Sequence, residues 1–133
     1  MTAPVVDSQP LIDAIKAALT GIAYAEGQRP TVAAGLPYVV GWFDNGTVTD
    51  RTMQSRDGFE LVAVFQCYGY SPDAVRFALH KVRTAVLGLH RAVVGGRTLL
   101  MPEHVPPPPM ARDDDVSPPL WWQSDEWRFR STT

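Results

Sequence analysis

The chain has 133 residues, enough for one domain built around one hydrophobic core. Its formal net charge of −2 argues against a strongly charged surface for nucleic acid or an anionic membrane. The one cysteine, Cys67, excludes an internal disulfide framework and fits a reducing compartment. The N-terminus lacks a signal-peptide pattern, and no apolar run is long enough to span a bilayer. We therefore expect a soluble, cytoplasmic protein with a single domain over residues 1–133.

The first predicted element is an amphipathic helix that follows a loose tail at residues 1–6. Asp7 or Ser8 can cap its N-terminus, and residues 27–30 contain the glycine and proline that end it. Its apolar residues recur at helical spacing and predict a core-facing stripe. The stripe consists of Leu11 (or Ile12), Ile15, Ala18, Leu19 and Ile22.

An antiparallel meander of three strands is predicted next. Pro37 introduces the first strand, Tyr38–Phe43, and Asn45-Gly46 is the strongest hairpin signal in the chain. The returning strand would cover residues 47–53, and residues 55–58 would turn into the third strand. In that strand every second residue is apolar, which is the period of a strand that faces a core. These residues are Phe59, Leu61, Ala63, Phe65 and Cys67.

The opposite face of the third strand is also partly apolar, through Val62, Val64 and Tyr68. This pattern predicts a central strand that is covered on both sides. The next residues carry the signals of a helix start, because Ser71 can cap a helix that has Pro72 in its first turn. Apolar residues then recur at helical spacing and predict a helix packed on the sheet. They are Val75, Ala78, Leu79, Val82, Val86 and Leu89.

Residues 102–119 depart from the composition of a packed domain. The run Pro106–Pro109 favours extended polyproline II geometry, and Asp113–Asp115 is a run of like charges. We expect a solvated loop, or an arm laid on a neighbouring subunit. The segment Leu120–Arg130 returns to strand composition and would close the sheet after this Pro-rich loop. The predicted fold class is α+β, with a helix, the meander, a second helix and the closing strand.

The residues that could carry chemistry do not form a known site. Cys67 could act as a nucleophile with His80 or His90, but it lies at a core-facing strand position without a local signature. The two histidines are ten residues apart, which is not a ligand spacing on one helix face. The run Asp113–Asp115 lacks the glycine-containing loop of a calcium site. We therefore expect no catalytic, cofactor or metal site, and no enzyme.

The aromatic and basic residues of the closing strand are better candidates for contacts between subunits. Trp127 and Phe129 fall on one face of this strand, and Arg128 and Arg130 fall on the other. Tryptophans could stack nucleobases, but they fill cores and interfaces more often. The residues predicted at a subunit interface are Trp121, Trp122, Trp127, Arg128, Arg130, Pro106, Pro107, Pro108 and Pro109.

The order of these elements resembles the tail terminator (tail completion) proteins of long-tailed bacteriophages. The similarity spans roughly Leu11 to Arg130 and is strongest in FELVAVFQCYGYSPDAVRFALHKVRTAVL, a strand, an aromatic-glycine turn and a helix. A Pro-rich insertion and a final strand of alternating Trp, Arg and Phe follow it. In this sequence the insertion is longer and richer in proline than is usual for the family.

The resemblance implies a structural virion protein located in the neck region of the tail and assembled in the host cytoplasm. Such proteins form a ring of six copies on the tail tube, stop its polymerisation and present a surface to the head–tail connector. The implied partners are other copies of the chain, the major tail tube protein, the connector or neck protein, and DNA that passes through the lumen without specific binding. No membrane partner is implied. Another neck protein (connector or stopper), a small α+β module that binds a ligand or peptide, and an enzyme with an unrecognised pocket are the alternatives.

Overall fold

The computed structural model describes residues 8–33, 35–48 and 58–132. Within them are two helices, α1 (Gln9–Ala18) and α2 (Pro72–Leu87). The strands are β1 (Ala23–Glu26), β2 (Tyr38–Phe43), β3 (Thr47–Val48), β4 (Phe59–Gly69), β5 (Val93–Val94), β6 (Arg97–Leu99), β7 (Glu103–Val105), β8 (Ala111–Asp113) and β9 (Leu120–Thr132). The predicted tail at residues 1–6, the Asp7 cap, the returning strand after Val48 and the turn at residues 55–57 lie outside the described residues.

All nine strands of the described part belong to one sheet, in the order β1-β2-β4-β9-β6-β5. In addition, β3 pairs with β4, while β7 and β8 pair with β9. The two long strands β4 and β9 form the centre of the sheet, antiparallel from Phe59 opposite Ser131 to Gly69 opposite Trp121. The predicted α+β class and the closing strand are therefore confirmed.

The core lies between one face of β4 and helix α2, as the apolar periods predict. Phe59, Leu61, Ala63, Phe65 and Cys67 are all buried on β4. Helix α2 starts at the predicted cap, because the Ser71 hydroxyl accepts a hydrogen bond from the Ala74 backbone N–H at 3.1 Å. Both helices contribute further buried residues to the same core: Leu11, Ile12, Ile15, Val75, Ala78, Val82 and Val86.

Helix α1 is shorter than the sequence predicts. It ends at Ala18, so Ile22 lies beyond it and residues 27–30 do not terminate it. The chain leaves the helical conformation at Leu19, which has a φ of −79° and a ψ of 84°, and Gly21 then turns it with a left-handed φ of 77°. The following residues form β1, which the apolar pattern did not predict and which runs parallel to β2.

The predicted three-strand antiparallel meander is wrong, because Asn45-Gly46 is not a hairpin turn. Strands β2 and β3 do not pair with each other; both pair antiparallel with β4 and so run along the same edge of it. Between them, the Asp44 carboxylate accepts the backbone N–H groups of Gly46 and Val62, each at 3.0 Å. Where the pairing of β4 is interrupted between β2 and β3, the Asp44 carboxylate thus accepts a hydrogen bond from a backbone N–H of β4 in place of a strand carbonyl.

The sheet has a core face and an open face. The core face carries both helices, since the buried cluster that joins them contains only one alternate set of residues from β2, β4 and β9. The other set defines the open face: Tyr38, Val40, Trp42, Glu60, Val62, Val64, Gln66, Tyr68, Trp122, Ser124, Glu126, Arg128 and Arg130.

The expectation that β4 is covered on both sides is therefore met only in part. No helix of the described part packs on the open face. Near β2, Arg29 of the connection from β1 to β2 contacts this face, and its guanidinium lies 4.9 Å from the centre of the Tyr38 ring. Tyr38 and Val40 on β2 are buried, while Val62 and Val64 on β4 are only half-buried.

The Pro-rich segment is more ordered than its composition suggests. Strand β7 pairs antiparallel with residues 126–128 of β9, and β8 pairs with residues 120–122. The exposed run Pro106–Pro109 forms the loop between these two strands. The expected solvated loop is therefore wrong for β7 and β8, whose backbone hydrogen bonds need no apolar side chains. The alternative, an arm on a neighbouring subunit, stays a prediction.

Replacement of Phe65 by alanine should lower the free energy of unfolding by about 3–5 kcal/mol, because it leaves a cavity at a fully buried position between β4 and α2. Urea denaturation checks this value. Val93→Ala is the control and should change stability by less than about 0.5 kcal/mol, since Val93 is 71% exposed. Equal effects of the two substitutions would contradict the placement of the core.

Two glycine substitutions test the break between β2 and β3. Gly46 has a φ of 79°, and a Cβ at this position would lie 2.1 Å from the Phe59 ring. Gly46→Ala should therefore cost about 2–4 kcal/mol through backbone strain and overpacking together. Gly96 has nearly the same φ, 77°, but a Cβ at this position would have no atom within 4 Å. Gly96→Ala should therefore lower the free energy of unfolding by only about 1 kcal/mol. Urea denaturation that gives equal losses would show that Phe59 does not pack against Gly46.

Candidate assembly surfaces

One end of the open face carries a row of stacked aromatic rings. The Tyr38 and Tyr68 rings have centroids 4.9 Å apart, and the Tyr68 and Trp122 rings have centroids 6.4 Å apart. The register of β2, β4 and β9 causes this row, because directly opposed residues of antiparallel strands share a face. Burial raises the pKa of both tyrosines, so their hydroxyls stay protonated to a higher pH than that of a free tyrosine. Tyr38 is buried, so Tyr68 and Trp122 are the half-buried members of the row.

The other end of the open face is charged. The Glu60 carboxylate lies 3.9 Å from Arg128 Nε and 3.6 Å from Arg130 Nε, and Arg130 Nη2 lies 3.4 Å from Glu103 Oε2. These arginines are half-exposed, so solvent screens the pairs and each contributes little to stability. The guanidinium groups of Arg128 and Arg130 can donate hydrogen bonds to a carboxylate of a partner protein.

The buried carboxylate of Asp125, on the core face of β9, forms a hydrogen bond to a side chain of β7. Asp125 is only 4% exposed, and its Oδ2 accepts a hydrogen bond from Trp127 Nε1 at 2.8 Å. Its Oδ1 is bonded to His104 Nε2 on β7. The His104 ring also packs on the Trp127 ring, with centroids 4.4 Å apart. Both carboxylate oxygens are thus engaged, which satisfies a charge that would otherwise be costly to bury.

Sequence reasoning missed this network, although a signal for it existed. The alternation that placed Trp127 and Phe129 on the core face also places Asp125 there, because it precedes Trp127 by two residues. An acid on a core-facing strand position requires a hydrogen-bonding partner. The network borders a cleft of about 260 Å³ between α2 and β7, which is also lined by Leu79, His80, Arg83 and Pro107.

The remaining candidates for chemistry are placed apart. Cys67 is fully buried on β4, and burial raises the pKa of its thiol, which disfavours the reactive thiolate. His80 is exposed on α2. In the described residues, no three His, Cys, Asp or Glu side chains come together in a way that could hold a metal ion. None of the described helices is long and apolar enough to cross a membrane.

The structure separates the residues predicted at an interface into two groups. The prediction that Trp127 lies at a subunit interface is wrong, because this side chain is 2% exposed and lies in the core, where it cannot reach another subunit. Trp121 is half-buried at the edge of the core, with the Arg112 guanidinium 5.4 Å from its ring centre. The others lie at the surface or on the open face, and their interface role stays a prediction: Trp122, Arg128, Arg130, Pro106, Pro107, Pro108 and Pro109.

The comparisons with known proteins add a similarity of fold. No protein-family model matches this chain, and no curated protein matches it. A chain in the solved structure described as "Virion of native gene transfer agent (GTA) particle" is similar, with a TM-score of 0.60. The alignment covers 95% of this chain and 94% of that chain at 16% sequence identity. At this identity the two chains share a fold along nearly their whole lengths.

Substitution of Asp125 by alanine should destabilise the protein by about 2–4 kcal/mol, because the His104 and Trp127 donors lose their buried acceptor. Thermal unfolding followed by circular dichroism checks the loss. The control is Ser124→Ala on the adjacent, open-face position, with an expected change within about 0.5 kcal/mol. A stable Asp125→Ala protein would mean that the carboxylate is not the anchor of β7.

Proposed function

We propose that this chain is a structural protein of a phage-like virion, and that its role there is that of the tail terminator. The observation that carries the proposal is the fold shared with a chain of the gene transfer agent virion, which extends over 95% of this chain and 94% of the other. Because each chain covers the other almost completely, the similarity concerns a whole subunit rather than one common motif.

The more specific role rests on the resemblance of the sequence to tail terminators. The strand-turn-helix unit that carries this resemblance forms β4 and α2, the centre of the fold. A final strand of alternating Trp, Arg and Phe follows the Pro-rich segment and completes the sheet as β9. In this role the chain forms a six-membered ring on the tail tube, ends tube growth and binds the head–tail connector.

The surfaces of the subunit support a role in assembly. A closed ring needs two different surfaces on each copy, one for each neighbour. The open face and the two edges of the sheet are distinct in chemistry, with stacked aromatics, half-exposed arginines and an exposed proline loop. The overall charge of −2 favours contacts between subunits over binding of DNA phosphates, so DNA passes through the ring without specific binding. The role involves no catalysis.

The test is a stop codon in this gene in the virus that encodes it, with the particles examined by electron microscopy. We expect full heads and unattached tails that exceed the normal length, because nothing ends polymerisation of the tube. The wild-type chain supplied in trans should restore tail length, and averaged images of the restored tail end should show six-fold symmetry.

The same experiment separates the terminator from the other neck roles. A connector or stopper would leave tails of normal length that fail to join heads. A stop codon in the tube protein gene is the control and should give heads with no tails at all. Tails of normal length joined to heads in the absence of this chain would contradict the proposal.

A further inference from the structure

An apolar groove lies beside β1, the outer strand at one edge of the sheet. Its volume is about 390 Å³, and it is lined by Ile22, Ala23, Val32, Leu36, Pro37 and Phe77. Leu36 is 53% exposed and Phe77 is 47% exposed, so two large apolar side chains stand open to solvent on its walls. Exposed apolar surface of this kind, in contact with an unpaired strand edge, is typical of a protein interaction site.

The loop Pro106–Pro109 lies at the opposite edge of the sheet. Strand β1 is the first strand in the sheet order, whereas β7 and β8, which flank the loop, pair with the far side of β9. All four prolines are exposed. Gln123 Nε2 donates a hydrogen bond to the Pro108 carbonyl oxygen at 2.8 Å and so holds the loop against β9. A fixed proline run loses little entropy on binding and fits grooves with aromatic walls.

The charges around the loop and the groove are opposite in sign. The segment 103–115 carries four acidic residues and one basic residue, Arg112. Helix α2, which supplies Phe77, also places Lys81 beside the groove, because a Cβ built on Gly21 in the groove lining would lie 3.1 Å from Lys81 Nζ. The ammonium group of Lys81 lies 5.3 Å from the centre of the Phe77 ring. A lysine therefore borders the groove and acidic residues flank the loop, which favours their association.

We infer that the proline loop of one copy docks in the apolar groove of the next copy. The loop and the groove lie at opposite edges of one sheet, so a single chain cannot satisfy the contact within itself. Repetition of the contact from copy to copy is heterologous, and it closes into a ring when the rotation per step allows. The inference rests on the proposed ring and assigns the two surfaces that join its subunits.

Disulfide trapping tests the contact directly. The full chain with Leu36→Cys and Pro107→Cys should form intermolecular disulfides under mild oxidation and give a ladder of bands that ends at a covalent hexamer. Cys67 is fully buried and does not compete for the reaction. The control pair replaces Leu36→Cys by Val93→Cys, since Val93 is 71% exposed but lies on the outer strand β5. Trapping in the test pair should be at least about tenfold faster than in the control, because docking raises the local concentration of the thiols.

Two blocked variants test the polarity of the contact. Phe77→Glu blocks the groove but leaves the loop, and replacement of Pro106–Pro109 by Gly-Ser-Gly-Ser blocks the loop but leaves the groove. Alone, neither variant should form rings by native mass spectrometry. Mixed in equal amounts they should form dimers of one copy of each, because one intact loop then meets one intact groove. Circular dichroism should show both variants folded, since neither change removes a strand.

The outcomes separate this inference from the proposed function. Equal trapping in the test and control pairs overturns the inference, as does a ring formed by either blocked variant. If the wild-type chain still ends tails with a six-fold ring, the terminator proposal stands and other surfaces join the subunits. Trapping of Leu36→Cys to the tube protein in assembled tails, instead of to Pro107→Cys, would also overturn the inference. Trapping with the expected specificity but tails of normal length without this chain would support the contact and refute the terminator.

Discussion

The rest of the structure depends on the pairing of β9 with strands on both of its sides. One side of β9 pairs with β4 from Phe59 to Gly69. The other side pairs in turn with β6, β7 and β8, three short strands that are separate in sequence. A single strand of 13 residues thus fixes the position of almost everything after α2. These contacts join segments that are far apart in the sequence, which is the kind of contact that slows folding.

The alternation of residues along β9 places one set of its side chains in the core and the other set on the open face. Trp127 and Phe129 complete the core beneath α2, while Arg128 and Arg130 point to the open face. Asp125 is the exception on the core side, and its bonds to His104 and Trp127 hold the start of the Pro-rich segment against the sheet. The loop Pro106–Pro109 consequently extends from two strands, β7 and β8, that are both paired with β9.

Elements that depend on local sequence signals were predicted accurately, whereas elements that depend on pairing with residues far away in the sequence were not. Strand β4 and helix α2 were predicted well, because period-two alternation and the Ser71 cap are local signals. Asn45-Gly46 was misread, since a local turn signal cannot reveal that the strands on both sides of it pair with β4. The short β1 and the pairing of β7 and β8 were missed for the same reason. In the candidate site, the interface role of the exposed prolines stays a prediction, whereas Trp127 was assigned to an interface by residue type against its own strand parity.

Hydrogen exchange of the full chain, read by mass spectrometry, tests most directly whether β9 organises the fold. We predict that the amides of β4 and β9 exchange slowest, and that those of β7 and β8 are protected because they pair with β9. The run Pro106–Pro109 has no amide N–H, so protection of the residues on either side of it is the informative result. Exchange of residues 103–105 and 111–113 at the rate of an unfolded peptide would contradict the account, because the Pro-rich segment would then be free of the sheet.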